Sequence, residues 1–222
     1  MGFDFQSDLF VEALSAIGRG ASTTLMLIAV TTVAGLVLST LAAAAKRSVH
    51  AYLGACVTAY VEVIRNTPFL VQLFFIFFGL PALGIRLDPI YAALLAMILN
   101  MTAYTTEIIG AGLDAVPRGQ HDAAKALGLK SYIAFGKVIL PQALVVIYPA
   151  LISQIVIMML ESAVVSQIAV RELTHEADLW QARTFRAFET YFVVALVYLG
   201  MSFALRRGML FIGRRFLSGG IS

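Results

Sequence analysis

Charge-free runs set the pattern of this chain. Gly20 to Ala45, Asn66 to Ile85, Pro89 to Thr106 and Val138 to Leu160 contain no Asp, Glu, Lys or Arg, and Thr190 to Leu205 is a shorter run of the same kind. A hydrocarbon core about 30 Å thick takes roughly 20 helical residues to cross, so the first four runs are long enough. The fifth gains length from its flank, where Arg206 and Arg207 can snorkel while Gly208 to Ile212 continues apolar. The pattern predicts an all-α membrane protein of about five transmembrane helices. Pro68, directly after Asn66-Thr67, predicts a kink or break. From Val138 to Val170 the only charge is Glu161, and the stretch is too long for one perpendicular crossing. It must tilt, bend or break, and Pro141 and Pro149 are the expected places. No repeat or linker divides the chain, so residues 1–222 read as a single transmembrane domain.

Composition strengthens this picture. The chain is 60% hydrophobic and only 13% charged, where an ordinary soluble domain is roughly 25% charged. Its basic residues are sorted by side. Lys46 and Arg47 follow the first run, Arg118, Lys125, Lys130 and Lys137 lie between the third and fourth, and Arg206, Arg207, Arg214 and Arg215 end the fifth. On the other side, Arg19, Arg86, Arg171, Arg183 and Arg186 are matched by Asp4, Asp8, Glu12, Asp88, Glu172, Glu176, Asp178 and Glu189. The positive-inside bias predicts a periplasmic N-terminus and a cytoplasmic C-terminus. The first run is too long for a signal-peptide core and lacks a basic lead-in, so it is expected to be retained.

Several chemistries find no support. The basic residues are dispersed at membrane boundaries, which argues against nucleic acid as a partner. A lone Cys56 excludes an intrachain disulfide, and His50, His121 and His175 are too scattered for a metal site. No Gly-x4-Gly-Lys-Ser/Thr loop occurs, so ATP would have to be held by another chain. No serine sits in a nucleophile elbow, and no catalytic residue is expected.

One segment departs from the apolar background. Residues 120 to 144, QHDAAKALGLKSYIAFGKVILPQAL, carry charged and imidazole side chains with a small-residue pair, a glycine and a proline at set intervals. Gln120 to Leu127 predicts a short helix on which Ala123 and Ala124 offer little bulk and can press against another protein surface. Gly128 would end it in the left-handed conformation. Physically, a solvated amphipathic loop is equally open at this point.

The spacing Asp122-Ala123-Ala124, Gly128, Leu140-Pro141 resembles the EAA signature of permease subunits of ABC importers. Asp122 stands where that signature has Glu, and Val138 where it has Ile. The resemblance implies a type I importer permease fold in the bacterial inner membrane. It also implies a cytoplasmic coupling helix over about residues 118–131, in which Asp122, Ala123, Ala124 and Gly128, with Leu140 and Pro141 beyond, engage an ATPase subunit. Tyr60 to Pro68 (YVEVIRNTP), Leu70 to Phe75 (LVQLFF), Ala103 to Ile108 (AYTTEI) and Arg183 to Glu189 (RTFRAFE) resemble the polar amino-acid permeases in particular. A basic residue that this group often has shortly after the position of Glu107 is replaced here by Gly110. The implied partners are two ATPase subunits that bind ATP and Mg, a second permease copy or a sister permease, a periplasmic substrate-binding protein and a polar amino acid.

Charges at membrane depth cost about 2.5 to 3.5 kcal/mol each on insertion scales, so each asks for an explanation. Glu62 and Arg65 lie three apart and are expected to pair, and Glu107 is expected to make a structural contact. Glu161 has no basic neighbour within a helical turn and is the candidate to meet the ammonium or guanidinium of a passing substrate. By resemblance its region lies at the central cavity, near the kink at Thr67. Ser162, Thr67 and Tyr104 are the expected neutral hydrogen-bonding groups, with Gln154 sharing the face of Glu161. An ion-gradient carrier, or a scaffold that recruits a cytoplasmic enzyme, would account for the same bulk properties.

Overall fold

The computed structural model describes residues 7–216, with side chains from residue 12 onward, so Asp4 and the side chain of Asp8 fall outside it. Among the described residues nine α-helices follow one another: α1 (Ser7–Lys46), α2 (Ala51–Arg65), α3 (Phe69–Phe74), α4 (Pro89–Asp114), α5 (Arg118–Ala126), α6 (Ser131–Ala134), α7 (Leu140–Glu161), α8 (Leu173–Thr184) and α9 (Ala187–Phe216). There is no strand among the described residues. Four helical stretches, within Glu12–Lys46, Pro89–Asp114, Ser131–Ile168 and Ala187–Arg215, are long and apolar enough to cross a bilayer. Taking α2 and the continuation of α3 to Leu83 as one broken crossing makes five. On α9 only 6% of the most apolar window is buried, and a helix that greasy and that uncovered belongs in lipid.

Prolines shape the irregular turns. Widened π-helical turns at Phe75–Gly79 and Phe135–Ile139 each end two residues before a proline, Pro81 and Pro141. A proline ring clashes with the carbonyl four residues back and leaves it without a donor, and a π turn makes room for both defects. Pro149, by contrast, sits inside an uninterrupted α7. The long apolar stretch therefore does not break at Pro141 or Pro149. It changes helix type at Glu161, where α7 gives way to a 3-10 segment, Ser162–Ile168, that ends on Ala169 in the left-handed conformation (φ 62°). The expected interruption at Pro68 is present: α2 stops at Arg65 and α3 starts at Phe69. The Asn66 amide donates back to the Glu62 carbonyl at 2.8 Å, satisfying an acceptor that the break would strand.

The chain divides into two compact units, one made of residues up to Val33 with Thr67–Ile98 and Ile157–Ala204, the other of Ala34–Asn66, Leu99–Val156 and Leu205 onward. In the first, Leu173, Ala177 and Val194 form a buried cluster against Ile17, Val197, Tyr198 and Met201, joining α1, α8 and α9. Glu172 organises this junction. Its carboxylate is fully buried and accepts from the Tyr198 hydroxyl at 2.7 Å, the His175 amide at 2.8 Å and the Thr24 hydroxyl at 3.5 Å. Next to it, buried Glu176 pairs with Arg171 at 2.8 Å and with Arg19 at 3.8 Å. Helix α1 approaches α8 so closely at Gly20 that a Cβ there would lie 2.7 Å from the Leu173 Cα. Because the obstacle is backbone, no rotamer change relieves it. Gly20→Ala is expected to cost about 2 kcal/mol in unfolding measurements, while Gly18→Ala, with open space around it, costs nothing.

In the second unit Val116, Ile139 and Ala143 are buried against Leu113 and Val138, and Gly112 admits the Ile147 side chain. Charged residues at the end of α1 are all engaged: Lys46 with Glu107, and Arg47 with Asp114 and with the Gly110 carbonyl at 2.9 Å. Arg65 also reaches Glu107, at 3.9 Å. Among the described residues its ion pair is therefore this one between helices, in place of the local pair expected with Glu62.

Candidate functional site

The candidate substrate residues divide between the units. Thr67, Glu161 and Ser162 belong to the first. There α3 packs on the 3-10 segment that begins at Ser162. The buried Gln72 amide reaches back from α3 to the Thr67 carbonyl at 2.9 Å and the Thr67 hydroxyl at 3.0 Å, holding the proline break in shape. Ser162 is fully buried, and its hydroxyl donates to the Met159 carbonyl at 2.6 Å. With its one proton committed to that carbonyl, the Ser162 hydroxyl keeps only acceptor capacity. Glu161 is half-buried at the end of a membrane-crossing helix, and no hydrogen bond or ion pair among the described residues reaches its carboxylate. It does not cap the 3-10 segment with its side chain either. An uncommitted carboxylate at such a position is costly, and a cationic partner relieves that cost.

Tyr104 and Gln154 belong to the second unit. The Arg65 guanidinium lies over the Tyr104 ring, 5.4 Å from its centroid, so this tyrosine's face is occupied by a residue of its own chain. Gln154 is buried on α7. Sequence reasoning passed over Gln72, although it stands in the quoted run Leu70 to Phe75. Its burial and its bonds to Thr67 come from the turn geometry at Pro68, which no periodicity signals.

The segment over residues 118–131 forms the expected short helix, α5, closed by Gly128 at φ 69°. The Leu129 amide donates to the Ala124 carbonyl and the Gly128 amide to the Lys125 carbonyl, at 3.1 and 2.9 Å, the paired bonds of a Schellman ending. Of the small pair only Ala123 is exposed; Ala124 is buried at 3% exposure, and α5 packs on α6 and the π turn after it. Asp122 and Lys125 are exposed beside Ala123, Leu140 is half-buried and Pro141 exposed.

A family model for the binding-protein-dependent transport system inner membrane component matches residues 35–218. The chain belongs to this family. It is 37% identical over 158 residues to the probable glutamine ABC transporter permease protein GlnM of Bacillus subtilis, covering 71% of this chain and 73% of that one. It is also 33% identical over 199 residues to the arginine transport system permease protein ArtQ of the same organism, covering 89% and 90%. With the nopaline transport system permease protein NocM of Agrobacterium fabrum it shares 30% over 209 residues, 90% and 87% of the two chains. Among solved structures, that of an amino acid ABC transporter with histidines superposes with a TM-score of 0.88 at 36% identity, over 97% of this chain and all of that one. The inward-facing MetNI methionine ABC transporter, at 20% identity and a TM-score of 0.71, shares the fold.

Membership sets aside the ion-gradient carrier and the scaffold: this is a multi-pass inner-membrane component of a transporter. Just past the end of α1, Arg47 donates to the Gly110 carbonyl, so a guanidinium stands at that point of α4.

Proposed function

We propose that this permease is the membrane subunit of an ATP-driven importer for polar amino acids or opine-like derivatives, and that cationic ones are favoured. The uncommitted carboxylate of Glu161 carries the reading, beside a serine able only to accept. The names of the relatives, which include glutamine, arginine and nopaline permeases, point to the same substrate class. Residues 1–222 form one permease domain with the N-terminus periplasmic and the C-terminus cytoplasmic. Thr67, Tyr104 and Gln154 contribute neutral groups along the path. Two ATPase subunits hold ATP and Mg and dock α5, a second permease copy or sister completes the pore, and a periplasmic binding protein delivers the substrate. ATP binding draws the coupling helices together and opens the cavity outward; hydrolysis resets it.

Glu161→Gln is expected to cut uptake of a cationic amino acid roughly tenfold, the worth of one charge-assisted bond, and to leave a neutral one nearly unchanged. Uptake in proteoliposomes with both substrates measures it. Equal transport of both by parent and variant would rule out the assignment.

A further inference from the structure

The Leu80–Asp88 end of the broken crossing carries a feature outside the candidate substrate residues. A cavity of 430 Å³ opens there, lined by Phe77, Phe78, Pro81, Arg86 and Leu87, all in the first unit. Its shape follows from the π turn at Phe75–Gly79, which brings aromatic rings together. Phe78 meets Phe77 edge-on at 5.0 Å and Phe74 at 5.5 Å between centroids. Phe78 is nevertheless 62% exposed, and Leu83 and Ile85 beside it are exposed too. Arg86 stands on the cavity wall, exposed, with no ion pair or hydrogen bond among the described residues. It lies in the turn between Leu83 and the start of α4 at Pro89, between two membrane-crossing helices, which is the level of the lipid headgroups.

We infer that this cavity binds one anionic phospholipid, its acyl chain on Phe77, Phe78, Pro81 and Leu87 and its phosphate on the Arg86 guanidinium. An apolar wall ending in one cation with no ion pair among the described residues matches an amphiphile with one negative head, and a guanidinium binds phosphate through paired N–H groups. A zwitterionic headgroup carries its own ammonium, which competes with Arg86 for the phosphate, so the site discriminates by charge.

The test uses the whole transporter complex in nanodiscs of equal phosphatidylglycerol and phosphatidylcholine, with retained lipids counted by native mass spectrometry. The parent is expected to retain phosphatidylglycerol about fivefold over phosphatidylcholine. Arg86→Gln is expected to lose one phosphatidylglycerol per permease copy and most of that preference. Phe78→Ala is expected to lower retention of both headgroups without changing their ratio. Arg86 is exposed, so its substitution does not threaten folding. Unchanged lipid counts in Arg86→Gln overturn the inference. Unchanged counts with a weakened permease pair overturn it in favour of a second copy.

Discussion

Ala123→Trp is expected to lower ATP-driven uptake by more than about tenfold and to reduce the ATPase recovered with the purified permease, while the melting temperature stays at the parent value. Ala123 lies on the exposed face of α5, whose end is fixed by the Schellman bonds at Gly128 and Leu129. An indole there touches nothing in its own chain. On a docked helix, however, the same group fills space that the partner's surface must occupy, and overpacking a fitted contact costs about 1 to 3 kcal/mol. Ala124→Trp serves as the contrast. Its Cβ is buried within the unit, so that variant is expected to lose stability along with function. If Ala123→Trp retains full uptake and its ATPase, α5 is not the coupling surface.

Glu172→Ala is expected to destabilise the permease by about 2 kcal/mol. The variant removes the acceptor that caps α8 through the His175 amide and takes one of two hydrogen bonds from each of the Tyr198 and Thr24 hydroxyls, which keep Thr174 and the Leu173 amide. The pH dependence separates charge from hydrogen bonding. Burial, with a smaller contribution from Asp178, outweighs the hydrogen bonds and pushes the Glu172 carboxyl above the usual carboxylate range. A carboxyl raised in the folded state favours folding most below its unfolded value, and the benefit is lost as pH rises through the folded one. The parent's melting temperature is therefore expected to fall as pH rises out of the ordinary glutamate range. Glu172→Gln, which cannot ionise, removes that slope. A parent and a Glu172→Gln variant with parallel pH profiles would show that Glu172 does not titrate there.

Much of this architecture is written locally. Charge-free runs of bilayer length mark the crossings, and Pro68 and Gly128 act on their own backbone, so the break before α3 and the end of α5 were legible. The isolation of Glu161 was legible for a related reason: absence of a basic residue within a helical turn is a local fact, and no distant residue among the described ones supplies one. The change of helix type after Glu161 was not. Prolines suggested two other places, yet a π turn absorbed Pro141 and α7 ran through Pro149 unbroken.

Contacts between helices far apart in sequence were decided only by the fold. Periodicity gives the face on which a residue lies but not what that face meets. Arg65 finds Glu107 and Tyr104 in preference to its near neighbour Glu62, and Arg47 reaches the Gly110 carbonyl across 63 residues. Likewise, two adjacent alanines look interchangeable in sequence, and only the packing of α5 on α6 buries one and exposes the other. By itself the sequence determined an all-α protein of membrane-spanning helices, because bilayer length and backbone chemistry act residue by residue, and its motifs carried the resemblance to importer permeases. The partners of its charges were left to tertiary structure, because a salt bridge depends on where two helices pass, and no local rule encodes that distance.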